Sequence, residues 1–277
     1  MKTPHYLDLS FKVAVDAIAE DNFLGEHNIS FDILPHGTVR IQDFNGLVSD
    51  IPQYDDGDWW VQSASAATPA ISLISALGAL GKDPGDFSVV DMCAAPGGKT
   101  AQLLSAGYEV TAIEANARRC RRLNENLERL KFRNCKVETA FGQDWMPKFP
   151  VHGVLLDAPC SATGTGIRRP DILQKEESDI PELLKTQQIL CEHCIDNVLK
   201  KGGILVYATC SILREESEDC AHRLLARSEG ASVRTLPFQE GEIAGFDGAI
   251  DENGWLRVLP GCLDGALKDC DGFFVAR

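Results

Sequence analysis

No apolar stretch in the 277 residues approaches the roughly 18 that a membrane-spanning helix needs. A secretory signal is missing too: Asp8, Asp16, Glu20 and Asp21 interrupt the apolar residues of the N-terminal segment, where a signal has a basic flank and a clean apolar core. Neither membrane insertion nor export is expected. The ten cysteines lack the regular spacing of a disulfide scaffold and scatter through a full-size chain, so reduced thiols in a cytoplasmic compartment are expected. No repeat or low-complexity segment is present. Positive charge is in deficit: 27 basic against 41 acidic residues give a net charge of -14, which by itself argues against a polyanionic partner.

The distribution of charge softens that argument. The acidic excess lies in residues 1–60 and 211–277, whereas residues 61–210 are balanced and contain a basic cluster. Arg118, Arg119, Arg121, Arg122, Arg129, Lys131, Arg133 and Lys136 face only Glu125 and Glu128 there. That cluster reads either as a nucleic-acid contact or as a solvated helix face. At 44% hydrophobic residues the chain can bury a core of one large or two small domains, and a monomer is expected.

From Phe87 onward short β-rich runs alternate with helical stretches, the pattern of a parallel sheet covered by helices. The expected strands are Phe87–Asp91, Tyr108–Glu114, Lys136–Thr139, Val151–Asp157, Gly203–Ala208, Ser232–Leu236 and Gly272–Ala276. Apolar spacing predicts helices over Gly97–Ser105, Asn116–Leu130, Pro181–Leu199 and Arg214–Arg227. The fold class is α/β, a seven-stranded doubly wound Rossmann-like sheet. Residues 61–277 form its catalytic domain, and the alanine-rich stretch Ala64–Leu80 is a helix packed on the sheet. Residues 1–60 read as a small accessory α+β unit, one helix followed by extended pieces at Ile29–Leu34 and Thr38–Asp43.

Three segments carry chemistry. The first, Asp91-Met92-Cys93-Ala94-Ala95-Pro96-Gly97-Gly98-Lys99-Thr100, ends a strand and turns through glycines into a helix. It is not a phosphate-binding P-loop, because Cys93 stands where that motif needs its first glycine. The dinucleotide fingerprint Gly-x-Gly-x-x-Gly is absent as well. What remains is a glycine turn at the carboxyl end of a strand, where open α/β sheets hold cofactors. Glu114, at the end of the next strand, suits ribose hydroxyls. The second and third segments, Asp157-Ala158-Pro159-Cys160-Ser161 and Ala208-Thr209-Cys210-Ser211, each put a cysteine just beyond an apolar strand. One sheet edge thus gathers a glycine turn, a carboxylate and two thiols. Cys191-Glu192-His193-Cys194 has half the spacing of a zinc site but no second pair, so no metal is expected.

These blocks, with Trp59-Trp60-Val61-Gln62, Gln188, Ile167-Arg168-Arg169-Pro170-Asp171 and Asp271-Gly272-Phe273-Phe274-Val275-Ala276, resemble the RNA cytosine-5 methyltransferases of the Sun and nucleolar-protein type. The resemblance spans roughly residues 55–277 and is nearest to the bacterial ribosomal small-subunit branch. Members of that branch usually carry a helical RNA-binding domain ahead of the accessory unit. A short relative or a truncated form is therefore expected, with residues 1–60 as a partial RNA-binding region. Three departures stand out: the acid after the third strand is the shifted candidate Asp144, the loop after Cys160 lacks a histidine before its proline, and Ser63 replaces a frequent aspartate.

The resemblance implies S-adenosylmethionine as cofactor, held by Cys93, Ala94, Ala95, Pro96, Gly97, Gly98, Lys99, Glu114, Asp144 and Asp157. It implies rRNA or tRNA as partner, with Arg168, Arg169, Arg118, Arg119 and Arg122 on phosphates. Cys210 would be the nucleophile toward cytosine carbon 6, Asp157 the group on ring nitrogen 3, and Cys160 the residue tied to product release. DNA cytosine methyltransferases use a Pro-Cys cysteine as nucleophile, which leaves the reversed assignment open. A catalytically idle RNA-binding or assembly factor with the same fold is the alternative function.

Overall fold

A computed structural model describes residues 6–13, 23–166, 168, 169, 172, 177–227, 230 and 232–277. The N-terminal unit opens with a strand rather than a helix: β1 (Tyr6–Phe11) buries its central residues Asp8, Leu9 and Ser10. Residues 14–22, where the rest of the expected helix falls, lie outside the described residues. A single helical turn α1 (Phe23–Glu26) precedes β2 (Phe31–Ile33) and β3 (Val39–Gln42), and β4 (Trp59–Val61) completes an antiparallel sheet in the order β2-β3-β1-β4. The turn between β2 and β3 closes on Gly37, which at φ 97° takes the left-handed conformation that glycine adopts without strain.

Helix α2 (Ala64–Gly78) follows at once and is buried along most of its length. It carries Pro69 in its interior, which cannot donate to the carbonyl of Ser65. The Thr68 hydroxyl donates there instead, at 2.7 Å. Ser63 offers no side-chain cap to this helix; Asp8 of β1 does so from the other sheet, its Oδ2 accepting from the Ala64 amide at 3.0 Å. The carboxylate missing at position 63 is thus supplied by the accessory unit.

Beyond α2 come β5 (Ser88–Met92), α3 (Gly98–Ser105), β6 (Glu109–Glu114), α4 (Ala117–Arg129), β7 (Cys135–Thr139), β8 (Val151–Asp157), α5 (Ile180–His193), β9 (Leu199–Thr209), α6 (Glu218–Leu225), β10 (Leu256–Val258) and β11 (Phe273–Ala276). The sheet order is β10-β11-β9-β8-β5-β6-β7. The five strands β9, β8, β5, β6 and β7 are parallel, and β10 and β11 form an antiparallel margin. The chain runs outward from β5 to β7 and then returns to β8, so strand order reverses beside β5, the place where open sheets leave a crevice. Among the described residues no helix is long and apolar enough to cross a membrane.

Seven strands are present, but one differs from expectation. Ser232–Leu236 is irregular, and the outermost strand is Leu256–Val258, paired in register with Val275, Phe274 and Phe273. Alternation in Ser-Val-Arg-Thr-Leu favours a strand, yet Leu236 makes a lone amide bond to the Arg277 carbonyl and Pro237 stops further pairing. The helix expected to reach Leu199 ends at His193, and a π turn covers Cys194–Val198.

A buried ion pair lies within the accessory sheet, between facing residues of β1 and β3. Arg40 donates to Asp8 at 2.7 and 2.8 Å, and both side chains are nearly solvent-free, at 3% and 2% exposure. Arg40 also stacks on Tyr6 and donates to the Ala266 carbonyl. Arg40→Met should cost about 3–5 kcal/mol in urea unfolding, because it strands a buried carboxylate. A loss below about 1 kcal/mol, the scale of an exposed pair, would mean that Asp8 is not held as described.

Candidate active site

The parallel strands β5, β8 and β9 deliver three loops to one edge of the sheet. After β5 the backbone reverses within Cys93–Gly97, with Cys93 at φ 65° and Gly97 at φ 105°. A Cβ on Gly97 would stand 2.6 Å from Leu123 of α4, and one on Gly98 would stand 3.3 Å from Gln62. The turn is braced from outside: Arg119 donates to the Ala95 carbonyl at 2.6 Å and Asn126 to the Pro96 carbonyl at 2.8 Å. No side chain caps α3, which leaves its first amides for an anionic ligand group. Burial pushes the Cys93 thiol up to about 12, so Cys93 is a neutral wall of this turn.

Glu114 ends β6 beside the turn and is buried. Its Oε1 accepts from the Asn116 amide at 2.9 Å. Its Oε2 has no hydrogen-bond partner, with the Arg119 guanidinium 3.5 Å away. A buried acceptor left open beside a glycine cradle is what a ribose diol would satisfy. Asp91 lies behind the turn, pushed up to about 7 by burial against the hydrogen bond from Thr100. Asp144 sits farther along the edge, exposed in the turn Gly142–Asp144.

Cys160 and Cys210 meet with their Sγ atoms 3.5 Å apart. Their environments are unequal. The hydrogen bond shared with Cys210, together with burial, holds the Cys160 thiol well above the ordinary thiol range. The same bond lowers Cys210, with Lys99 adding to the effect and burial and Asp157 opposing it. Of the pair, Cys210 is therefore the more easily deprotonated and Cys160 the one that holds its proton more tightly. Lys99 donates to Asp157 at 2.8 Å. Burial works against the lysine charge, but Asp157 raises its pKa above the ordinary value. The site thus sets the more acidic of the two thiols beside the Lys99–Asp157 ion pair. On the outer side of Cys160 a cavity of about 320 Å³ is lined by Cys160, Ser161, Asp179, Ile180, Glu182 and Leu183.

The loop after Cys160 is stitched to the loop after Cys210. The Gly164 amide donates to the Cys210 carbonyl at 2.9 Å, and the Gly272 amide to the Gly164 carbonyl at 2.8 Å. A Cβ on Gly164 would come within 2.3 Å of Gly272 O, so this crossing admits only glycine. The hydroxyls of Ser161, Thr163 and Ser211 lie 3.1–3.2 Å from one another. Two contributors were not singled out in the sequence. Glu216, wholly buried, binds Ser161 and Gln187. It is Gln187, not Gln188, that reaches the Cys160 loop, donating to the Pro159 carbonyl at 2.9 Å; Gln188 pairs with Glu192. Nothing short of their burial separates these two residues from the polar neighbours beside them in the chain.

The arginines divide. Arg118 and Arg122 are exposed on α4, whereas Arg119 braces the glycine turn. Arg168 donates bidentately to the buried carboxylate of Asp271, and Arg169 is exposed. Ile167, Pro170 and Asp171 lie outside the described residues. Cys191 and Cys194 are core thiols, and His193 reaches the Trp145 carbonyl. Among the described residues no group of three or more His, Cys, Asp or Glu side chains is placed to hold a metal.

A family described as 16S rRNA methyltransferase RsmB/F matches residues 78–277. A protein named Ribosomal RNA small subunit methyltransferase B, from Xanthomonas campestris pv. campestris, is 36% identical over 236 residues, covering 83% of this chain and 49% of that protein. Ribosomal RNA small subunit methyltransferase F from Vibrio parahaemolyticus is 30% identical over 266 residues, covering 86% of this chain and 52% of its own. The chain spans about half the length of the curated relatives it matches. A solved methyltransferase homologue from Pyrococcus horikoshii has a TM-score of 0.75 at 24% identity over 100% of this chain and 86% of that one, and it shares the fold.

The unequal thiols predict a pH effect. Lys99→Met removes the cation that favours the Cys210 thiolate, so the pH midpoint for iodoacetamide labelling of Cys210 should rise. Residue-resolved mass spectrometry across a pH series measures it, and an unmoved midpoint would rule out Lys99 as a source of the depression.

Proposed function

Given that the chain belongs to the RsmB/F family of 16S rRNA methyltransferases, we propose that it methylates carbon 5 of a cytosine in RNA, ribosomal RNA in the first place, through a covalent adduct with Cys210. The observation that carries this reading is the 3.5 Å contact of two unequal thiols beside the Lys99–Asp157 pair. Nothing in that arrangement favours the idle assembly factor, which would need neither thiol.

Cytosine carbon 5 is a poor nucleophile until a thiolate adds at carbon 6 and makes it enamine-like. Cys210 is the thiolate for that addition. Asp157, oriented by Lys99 and entering this step in its protonated form, hydrogen-bonds or protonates ring nitrogen 3 as charge develops there. S-adenosylmethionine, when bound, supplies the methyl group. The Cys93–Lys99 turn holds its methionine end, Glu114 its ribose, and Asp144 lies on the adenine side. With Cys210 in the adduct, Cys160 gives its own proton to solvent and as thiolate takes the carbon 5 proton, after which the carbon 6–sulfur bond breaks and Cys210 leaves as thiolate. The target base must leave its stack to reach both sulfurs, which favours single-stranded or loop cytosines.

For the RNA track, Arg118, Arg119, Arg122, Arg168 and Arg169, all exposed, are the candidates for phosphate contact, and Arg119 and Arg168 also brace the loops they contact. The sheet of residues 6–61 serves as a partial RNA-binding region next to the catalytic domain. The ten unpaired cysteines suit a reducing, cytoplasm-like compartment.

Denaturing gels with labelled RNA test the mechanism. Cys210→Ala should abolish both methylation and the covalent band, whereas Cys160→Ala should let the adduct accumulate. The opposite pattern would reverse the roles of the two cysteines. A band from neither variant would remove the covalent route, and a band from both would exclude Cys210 as its sole nucleophile. Separately, Glu114→Ala should weaken S-adenosylhomocysteine binding by at least about tenfold in calorimetry, some 1.4 kcal/mol, while leaving RNA affinity in place. Equal loss of both would reject the ribose assignment.

A further inference from the structure

Asp271, 3% exposed, immediately precedes the glycine that closes the crossing of the two cysteine loops. These two successive residues hold the loop that follows Cys160 at two points. The Gly272 amide donates to the Gly164 carbonyl at 2.8 Å, and the Asp271 carboxylate accepts from Arg168 Nε at 2.9 Å and from Arg168 Nη2. Gly164 passes the constraint on, its amide donating to the Cys210 carbonyl at 2.9 Å. The far side is anchored in the core. Ser65 of α2 donates to the Asp271 carbonyl at 2.8 Å, and a Cβ on Gly272 would stand 2.5 Å from Ile212, two residues beyond Cys210. A single tie at Gly164 would leave the segment free to pivot. A second, four residues along and made by a planar fork that matches a carboxylate, stops that rotation.

Holding a loop does not by itself call for a charge pair, because a buried carboxylate gains little net stability from its partner over an apolar contact of the same size. This pair also reaches the surface. The Arg168 side chain is 38% exposed, and its Nη1 makes no hydrogen bond among the described residues, so the guanidinium keeps donors for an outside anion while it grips Asp271. We propose that Asp271 is a positioning residue for the two thiols, and that Arg168 links it to a phosphate of the bound RNA backbone. A phosphodiester on the free donors fixes the guanidinium, the guanidinium fixes residues 164–168 against Asp271 and Gly272, and Gly164 sets the backbone that carries Cys210. Neither Asp271 nor Arg168 touches the reacting atoms. The inference rests on the methyltransferase reading for its substrate, but not for the placement of the sulfurs.

Two measurements on the full chain test it, one of them without RNA. In the free protein, oxidation of Cys160 and Cys210 to their disulfide by diamide, followed by mass spectrometry of the linked peptides, reports the alignment of the sulfurs. Asp271→Asn should slow it about tenfold, and single-turnover methyl transfer at saturating RNA should fall by about as much, the scale on which small misplacements of reacting groups act. RNA affinity should hold. Removing a nearby anion favours the Cys210 thiolate and by itself would speed the oxidation, so slowing identifies lost alignment. Arg168→Lys keeps the charge without the fork and should slow both reactions while sparing affinity, whereas Arg168→Ala should also weaken RNA binding and flatten its salt dependence. Unaltered disulfide and transfer rates in Asp271→Asn, or an affinity loss equal to the rate loss, would overturn the positioning role. A fully active Arg168→Lys, or the wild-type salt slope in Arg168→Ala, would remove the phosphate link. Should Asp271→Asn fail to fold, Arg168→Lys carries both readouts. Slower disulfide formation in the variants of a chain whose wild type transfers no methyl group would uphold the placement and reject the methyltransferase reading.

Discussion

The chemistry of this chain depends on the parallel pairing of β8 with β9. Asp157 stands opposite Ala208 in that register, and the pairing continues past the strands as the Ala158 amide donates to the Ala208 carbonyl. Two loops leaving adjacent parallel strands in step must run side by side, so residues fifty apart in sequence bring their sulfurs to 3.5 Å. A slip of one residue would turn one thiol to the other face of the sheet. Gly164 and Gly272 lock the crossing at a separation that no side chain permits.

Proximity by itself would yield two equivalent thiols sharing a proton. What separates them is first their mutual hydrogen bond and then their surroundings, with the Lys99 ammonium lowering Cys210 against Asp157. The buried Glu216 carboxyl holds the turn that carries Cys160. Both groups are held by neighbours whose main business is packing. Lys99 lies over the Phe273 ring of β11, and Glu216 sits between α5 and the end of β9. The active site is thus an extension of the core, polarised at its rim.

The accessory sheet is bound into the same structure. Asp8 caps α2 with one carboxylate and pairs with Arg40, while Arg168, in the loop after Cys160, pairs with Asp271, whose carbonyl accepts from Ser65 of α2. Helix α2 therefore has both the accessory sheet and the catalytic loop resting on its N-terminal turn. Arg168, expected on RNA phosphate, also holds the buried carboxylate of Asp271.

The sequence by itself determined the alternation of strand and helix, the glycine turn after β5, and the three strand ends that carry Glu114, Cys160 and Cys210. These are local matters: apolar periodicity, glycine at a turn and a polar residue ending a buried strand are legible within a dozen residues. The tertiary structure decided the rest. It chose Leu256–Val258 over Ser232–Leu236 as the edge strand, because pairing partners and not alternation select a strand. It made Tyr6–Phe11 a strand by supplying β3 and β4 on either side. It replaced Gln188 by Gln187 and brought Glu216 under Cys160, because which of two adjacent polar residues turns inward depends on helix phase against a neighbour. It also put the two cysteines in unequal surroundings, since electrostatic influence falls with distance through space, and separation along the chain does not measure it.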